Sequence, residues 1–182
     1  MTTIGIFGGS FDPPHDGHVY VADKIMKFLQ LRQVWWLVTD RNFLKQSCER
    51  TLQEREELVC KKISGRRDMR VVSVNSPYAY EAILLLMSRN PHYRFVWIAG
   101  SDILETIHLW YRWRDFLKMV SIVVLERPGH VYGTLRKPAT LSVPRISPLS
   151  KKSLYGCKGW GIFRFRTCEL SSSKIRSTNN PS

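Results

Sequence analysis

Apolar and polar residues follow each other along the chain in blocks that predict strands and helices in turn. Strands are predicted by the apolar runs at residues 3–7, 34–38, 71–74, 95–99 and 121–125 and by alternation at 162–166. Helical spacing of apolar residues recurs at 17–29, 80–87 and 113–119. Thr51 and Glu54 have the spacing of a capping box, which predicts a helix extending to about Lys62.

This β-α alternation predicts parallel strands joined by right-handed helical crossovers, which is an α/β doubly wound parallel sheet of the Rossmann type. Ligands of such sheets bind at the carboxyl ends of the strands. Between residues 129 and 148 the pattern is lost and Pro, Gly and Ser are frequent, which predicts surface loops. A chain of 182 residues usually builds one hydrophobic core, so we expect residues 1–182 to form a single domain.

Charge and cysteine usage narrow the class of protein. Lys and Arg number 28 against 15 Asp and Glu, and the net charge of +13 should attract nucleic acid, acidic membranes or phosphorylated small molecules. The 4 cysteines lie far apart without a metal-ligand pattern and read as reduced thiols. No apolar run approaches the roughly 20 residues of a membrane span, and the first residues do not resemble a signal peptide. We therefore expect a cytoplasmic protein.

The first βα turn, residues 8–18, carries the most distinctive chemistry. Gly8 and Gly9 would let the backbone approach a phosphate, and the following helix offers unpaired N–H donors. The turn is neither the G-x-G-x-x-G dinucleotide fingerprint nor a P-loop. His15 and His18 flank Gly17, and their spacing predicts that both imidazoles face one site. Two other interpretations are a locally packed pair of helix-start histidines and a metal pair completed from elsewhere.

Residues 8–18 resemble the H-x-G-H signature of the nucleotidyltransferase superfamily, and their Gly-Gly-Ser-Phe-Asp-Pro-Pro-His-x-Gly-His form is similar to bacterial nicotinate-nucleotide adenylyltransferases. Residues 171–176, Ser-Ser-Ser-Lys-Ile-Arg, match the second signature of that superfamily; a serine run at a chain end would otherwise read as a frayed tail. The resemblance implies a Rossmann-like nucleotidyltransferase fold. It also implies transfer of the AMP part of ATP to nicotinate mononucleotide, giving nicotinate adenine dinucleotide and pyrophosphate in NAD biosynthesis.

The resemblance also implies roles for individual residues. His15 and His18 would be catalytic, as hydrogen-bond donors to the transferred phosphate. ATP would contact Gly8, Gly9, Ser10, Phe11, His15, Gly17, His18, Gly100, Asp102, Ser172, Ser173, Ile175 and Arg176. The mononucleotide would contact Asn42, Lys45, Tyr78, Ala79, Tyr80, Trp110 and Arg127. Mg²⁺ would be bound through ATP and pyrophosphate, with no protein ligand.

The chain departs from the family pattern at three places. Ala79 stands where a Thr is common, so only main-chain recognition would remain there. Residues 40–45 lack the frequent Pro-Pro-His-Lys, and the sequence ends soon after Arg176 where relatives continue. Read without the resemblance, Trp110 would be a core residue, Asp102 a helix N-cap and Lys45 a solvated loop residue.

Two other functions compete with this interpretation. Phosphopantetheine adenylyltransferase shares both signatures but has a shorter chain and a Thr in place of His15. A basic nucleic-acid-binding protein would account for the charge, although Lys and Arg are spread over the sequence. We expect ATP and nicotinate mononucleotide as partners, and neither nucleic acid nor membrane. The sequence is compatible with an oligomer and leaves the preference between nicotinate and nicotinamide open.

Overall fold

The computed structural model describes residues 1–39, 48–100, 103–125, 138–146 and 158–163. Within these ranges, parallel strands form a 6-stranded sheet in the order β3-β2-β1-β4-β5-β6. The strands are β1 (Thr2–Gly9), β2 (Gln33–Val38), β3 (Met69–Val72), β4 (Tyr93–Gly100), β5 (Ser121–Leu125) and β6 (Trp160–Phe163). The helices are α1 (Asp16–Leu29), α2 (Leu52–Lys62), α3 (Ala79–Arg89), α4 (Ile103–Thr106), α5 (Trp113–Met119) and α6 (Pro138–Ser142), with a 3₁₀ helix at Ile107–Leu109. The predicted doubly wound parallel sheet is confirmed.

Helices cover both faces of the sheet. Helices α1 and α2 bury Ile25, Leu29 and Val59 on the face that carries Trp36 and Val96. On the other face, α3, α5 and the 3₁₀ helix bury apolar residues against the alternate strand residues, a cluster that includes Ile6, Trp35, Trp97, Ile83, Ile107 and Phe116. Since successive strand residues point to opposite faces, both of which are buried, the strands appear in the sequence as uninterrupted apolar runs.

The main differences between the observed and the predicted elements concern β3, α6 and β6. β3 is Met69–Val72 rather than residues 71–74, and residues 138–142 form helix α6 inside a segment that the sequence predicted as loops. Strand β6 begins two residues earlier than predicted, and residues 164–166 lie outside the described ranges. The capping box is confirmed, because the Glu54 N–H donates to Thr51 Oγ1 at 3.3 Å and the Thr51 N–H donates to Glu54 Oε2 at 2.8 Å.

An ionic cluster ties α1 to the start of β3, away from the carboxyl edge of the sheet. Arg66 Nη2 lies 2.5 Å from Asp23 Oδ1 and 2.9 Å from Asp68 Oδ2. Hydrogen bonds from Arg66 lower the pKa of Asp68, and the contacts to Asp68 and Asp23 raise the pKa of the guanidinium.

None of the helices in the described ranges is long and apolar enough to cross a membrane.

Candidate active site

The carboxyl ends of β1 and β4 form the centre of the candidate site. These two strands are neighbours, and the connections from them run in opposite directions along the sheet, because β2 follows β1 on one side and β5 follows β4 on the other. A crevice for a nucleotide forms at such a point in doubly wound sheets. Gly8 and Gly9 end β1 and Gly100 ends β4, so three predicted ATP contacts lie along this edge.

The two glycines that end β1 lie against aromatic rings of the chain itself, and the packing is tighter at Gly8 than at Gly9. A Cβ at Gly8 would overlap Cζ2 of Trp97 and lie 2.6 Å from its Cη2, so the indole occupies the space that a side chain would need. A Cβ at Gly9 would lie 3.0 Å from Cζ of Phe11. Gly8 therefore allows an indole ring from β4 to sit against the backbone of β1, a reason for glycine that the sequence did not reveal.

His15 and His18 are in direct contact at the start of α1. His15 is the N-cap residue, with an extended backbone, and is 5% exposed. The two imidazole rings stack with centroids 3.7 Å apart and an interplanar angle of 27°. The structure thus brings together the pair whose spacing predicted one common site. Groups of three or more His, Cys, Asp or Glu that could hold a metal ion do not occur among the described residues.

The backbone of His15 fixes the protonation of His18. The His15 N–H donates to His18 Nδ1 at 3.2 Å, and the His18 N–H donates to the His15 carbonyl at 2.9 Å. A backbone N–H can only donate, so Nδ1 of His18 carries no proton and Nε2 carries the ring proton. His18 is therefore a hydrogen-bond donor through Nε2.

Aromatic rings surround His18 on its protein side. The Phe11 ring meets His18 edge-on at 5.1 Å, and Phe7 and Trp36 lie at centroid distances of 6.0 Å and 6.4 Å. Phe11 is 2% exposed, so its side chain belongs to this packing and only its backbone could face a nucleotide. Phe11 has a φ of 48°, in the left-handed region, where a non-glycine residue costs of order 1–3 kcal/mol.

Two buried charged side chains hold the loop that precedes α1, and sequence reasoning missed both. Asp12 is 1% exposed; its Oδ2 accepts from the Glu49 N–H at 2.7 Å and its Oδ1 accepts from Arg50 Nη1 at 2.8 Å. Burial alone would raise the pKa of the Asp12 carboxyl, but Arg50 and the Glu49 N–H outweigh burial and hold that pKa below its usual value.

Arg55 is the second of these side chains. It extends from α2, is 1% exposed, and its Nη1 donates to the carbonyls of Ser10 and Thr39, each at 2.8 Å. Arg50 binds Asp12 from 38 positions away in the chain, and the Ser10 and Thr39 carbonyls lie 45 and 16 positions from Arg55. Neither charge could be matched to its partner by local spacing.

A second aromatic cluster contains two of the residues that the sequence predicted to contact the mononucleotide, Tyr78 and Tyr80. Tyr78 is the N-cap of α3, ahead of Ala79, and its ring lies 4.6 Å from that of Tyr111. Tyr80 lies 6.4 Å from Tyr111 and beneath the guanidinium of Arg112 at 4.5 Å. The structure thus groups the predicted tyrosines with two residues, Tyr111 and Arg112, that sequence reasoning did not select.

Trp110 precedes Tyr111 in the chain and packs against core aromatic rings. Its ring is 6.1 Å from Trp97, the residue that packs on Gly8, and 5.8 Å from Phe116 in the core. Trp110 is partly buried and packs on the core, so the interpretation of this residue as a core tryptophan agrees with the structure. The predicted contacts Asn42, Lys45, Asp102, Arg127, Ser172, Ser173, Ile175 and Arg176 lie outside the described residues.

The comparisons with known proteins agree with this geometry. A family model described as cytidylyltransferase-like matches residues 6–178. The fold and the stacked histidines thus define a nucleotidyltransferase of the cytidylyltransferase-like class. A probable nicotinate-nucleotide adenylyltransferase from Agrobacterium fabrum is 37% identical, with 97% of this chain and 98% of the relative covered. One from Mesorhizobium japonicum is 40% identical, over 96% of this chain and 93% of the relative. The chain belongs to the nicotinate-nucleotide adenylyltransferase family.

Solved structures show the same fold. A Plasmodium falciparum nicotinic acid mononucleotide adenylyltransferase complexed with NaAD superposes with a TM-score of 0.72 at 18% identity. The superposition covers 97% of this chain and 83% of that one. The curated relatives carry the name of the function that the sequence predicted first, so the phosphopantetheine and nucleic-acid alternatives are not favoured.

Proposed function

We propose that the protein joins the adenylyl group of ATP to nicotinate mononucleotide, releasing nicotinate adenine dinucleotide and pyrophosphate as a step of NAD biosynthesis. Membership of the family supports this reaction. The observation that carries it is the stacked pair His15 and His18 at the start of α1, with Nδ1 of His18 accepting the His15 N–H, where the connections from β1 and β4 diverge.

The reaction needs no protein nucleophile. A phosphate oxygen of nicotinate mononucleotide attacks the α-phosphorus of ATP, a new P–O bond forms, and the bond from that phosphorus to the bridging oxygen breaks to release pyrophosphate. The mononucleotide phosphate already carries the attacking electron pair. The protein therefore contributes alignment of the two substrates and stabilisation of charge on the transferred group.

His18 performs the second task by donating from Nε2 to the transferred phosphate. The aromatic rings behind it and the His15 N–H at Nδ1 hold the imidazole in one orientation and one tautomer, so the donor is aligned before substrate arrives. His15, at the N-cap of α1, lies beside His18 where the unpaired N–H groups of the helix also favour an anion.

The mononucleotide would bind on the Trp110 side of the crevice. Trp110 and the rings of Tyr78 and Tyr111 supply aromatic faces of the kind that stack on a pyridine ring, and the backbone at Ala79 lies at the first turn of α3. We extend the assignment to Asp102 for the ATP ribose, Ser172, Ser173, Ile175 and Arg176 for the ATP phosphates, and Asn42, Lys45 and Arg127 for the mononucleotide.

Magnesium would enter with ATP and neutralise charge on the phosphates and on the departing pyrophosphate. The Asp12 carboxylate is engaged by Arg50 and the Glu49 N–H, so we do not assign it as a ligand of the ion. The ion would then be held by phosphate oxygens and water. We place the protein in the cytoplasm.

Pyrophosphate release from ATP and magnesium tests the proposal. Nicotinate mononucleotide, nicotinamide mononucleotide and phosphopantetheine are supplied in parallel reactions with the same protein. Release with nicotinate mononucleotide is expected, and the rate with the amide ranks the acid against it. Release with phosphopantetheine alone would overturn the substrate, and no release with any acceptor would overturn the reaction.

A further inference from the structure

Arg55 is a fully buried cation that binds backbone oxygens from three separate segments. Nη1 donates to the Ser10 and Thr39 carbonyls, each at 2.8 Å, and Nε donates to the Arg50 carbonyl at 3.2 Å. Burying a guanidinium is unfavourable unless its donors are satisfied. Here they are directed at chain segments that follow β1, follow β2 and precede α2.

These segments meet at the edge of the sheet that carries the candidate site. The Thr39 N–H donates to the Gly9 carbonyl at 3.0 Å, so Thr39 is joined to the end of β1 by its own backbone as well as through Arg55. One nitrogen of Arg55 thus sets the position of the Ser10 carbonyl relative to the two strand ends.

The Ser10 carbonyl leads directly to the residue with the left-handed backbone. Phe11 follows Ser10 with a φ of 48°, and Asp12 on its other side is anchored by Arg50 and the Glu49 N–H. A non-glycine residue keeps such a conformation only where its surroundings enforce it. The conformation places the Phe11 ring edge-on against His18, with an interplanar angle of 80°.

We propose that Arg55 is a positioning residue for His18, acting through the Ser10 carbonyl and the Phe11 ring; its effect on turnover rests on the function proposed above. Without the guanidinium, the Ser10 carbonyl loses its donor and Phe11 relaxes toward negative φ. The ring that supports the imidazole then moves, and the alignment of His18 Nδ1 with the His15 N–H is lost. Arg55 touches neither substrate in this scheme.

The test combines kinetics with histidine spectroscopy on Arg55→Met and Arg55→Lys. Met fills a similar space without donors, and Lys keeps the charge but lacks the planar fork that serves separate acceptors. In folded Arg55→Met we expect kcat to fall by about 10- to 100-fold, as for a small displacement of a catalytic group, with KM for ATP near wild type. Arg55→Lys should show a smaller loss of kcat.

¹⁵N resonances of labelled histidine report the position of His18 without any turnover. The wild-type protein should show one His18 tautomer, protonated at Nε2, and both Arg55 variants should show a mixture. Arg66→Met is the matched control, because it removes a guanidinium that binds Asp23 and Asp68 at another place in the fold. The control should lower the melting temperature and leave kcat and the His18 tautomer unchanged.

The proposal requires both changes together in a folded variant. Wild-type kcat in folded Arg55→Met, or lost kcat with an unchanged His18 tautomer, overturns it. If Arg55→Met does not fold, wild-type kcat and a single tautomer in Arg55→Lys overturn it. Failure of the proposed function is distinguishable, because wild-type protein would then lack adenylyl transfer while the tautomer comparison would still report on Arg55.

Discussion

At the scale of single residues, the hydrogen bond between the His15 backbone and the His18 ring determines which ring nitrogen of His18 can donate. The His18 ring has one nitrogen committed to the His15 backbone, which leaves Nε2–H as a donor of fixed direction. A donor of this kind contributes most where charge develops during the reaction, rather than in the ground state.

His18→Ala is therefore expected to lower kcat by about 10²-fold or more, with only a modest change in KM for ATP. Steady-state rates with ATP and nicotinate mononucleotide measure both constants. His92→Ala is the control, because His92 is exposed and precedes β4 at the opposite edge of the sheet. A raised KM with unchanged kcat would show that His18 binds ATP without stabilising the transition state.

The Asp12 carboxylate should make stability depend on pH. Its pKa is lowered in the folded protein, so the ionised form contributes stability above the unfolded pKa of about 3.9 and that contribution is lost as the pH falls through the folded pKa. Asp12→Asn places an amide against Arg50, and we expect it to lower the free energy of unfolding at pH 7 by about 1–3 kcal/mol.

Urea denaturation at pH 7 and at about pH 3 measures this contribution. The difference between wild type and Asp12→Asn should be complete at the higher pH and shrink toward zero at the lower one. Asp115→Asn, which removes a partly exposed ion pair with Arg112, should cost less than about 1 kcal/mol at pH 7. A difference for Asp12→Asn that does not change with pH would contradict an ionic role.

At the scale of elements, β1 and β4 are fitted to each other through a glycine and an indole. The Trp97 indole occupies the space above Gly8. The same indole also contacts the ring of Trp110, at a centroid distance of 6.1 Å. Gly8→Ala should therefore destabilise the fold by about 1–3 kcal/mol through overpacking. Trp97→Phe removes the atoms that collide, and also an indole N–H that is buried without a partner among the described residues.

A double-mutant cycle separates this contact from a general sensitivity of β1. Gly8→Ala combined with Trp97→Phe should be more stable than the sum of the two single effects, whereas Gly8→Ala combined with Trp35→Phe should be additive. Urea titrations of wild type, the three single variants and the two double variants provide the free energies of unfolding for both cycles. Additivity in the first pair would show that Trp97 yields to a Cβ without cost.

The elements also show how far a sequence determines this fold. Runs such as residues 34–38 were recognisable because a strand buried on both faces is apolar throughout. The observed β3 ends at Val72, two residues before the predicted end at Val74. Val74 packs against the core without belonging to the strand, so the apolar pattern indicated burial there and not strand pairing. Helix α6 begins with Pro138 and has five residues, which is too short to show a helical period of apolar residues. Its Pro and Ser therefore led to the prediction of a loop.

The residues of the candidate site also fall into two groups, those that the sequence revealed and those that it did not. His15, His18 and the glycines are close in sequence and could be recognised from their spacing, and the tyrosines from their resemblance to a known segment. Asp12 and Arg55 gave no such signal, because Arg50 for Asp12 and the Ser10 and Thr39 carbonyls for Arg55 are distant in sequence and only folding brings them together. The residues that shape a catalytic loop are therefore harder to find from a sequence than the residues that the loop presents.

At the scale of the whole molecule, the excess of positive charge acts on every proposed substrate. Several acidic side chains of the described residues are already paired, as in Asp12 with Arg50, Asp16 with Lys62 and Asp115 with Arg112. The chain as a whole carries 28 Lys and Arg against 15 Asp and Glu. The field that this excess creates favours the approach of ATP and of a phosphorylated nucleotide.

This field gives a prediction that distinguishes the two pyridine nucleotides. Nicotinate mononucleotide carries one more negative charge than nicotinamide mononucleotide, so its capture should be more sensitive to salt. Raising the ionic strength from about 0.01 M to 0.15 M shortens the Debye length from about 30 Å to 8 Å. We expect kcat/KM to fall for both acceptors and more steeply for the acid, when measured at saturating ATP.

A neutral osmolyte at matched osmolality is the control and should leave the ratio of the two kcat/KM values unchanged. Equal salt dependence for acid and amide would mean that contacts inside the crevice, and not the net charge of the molecule, decide how fast the acid is captured.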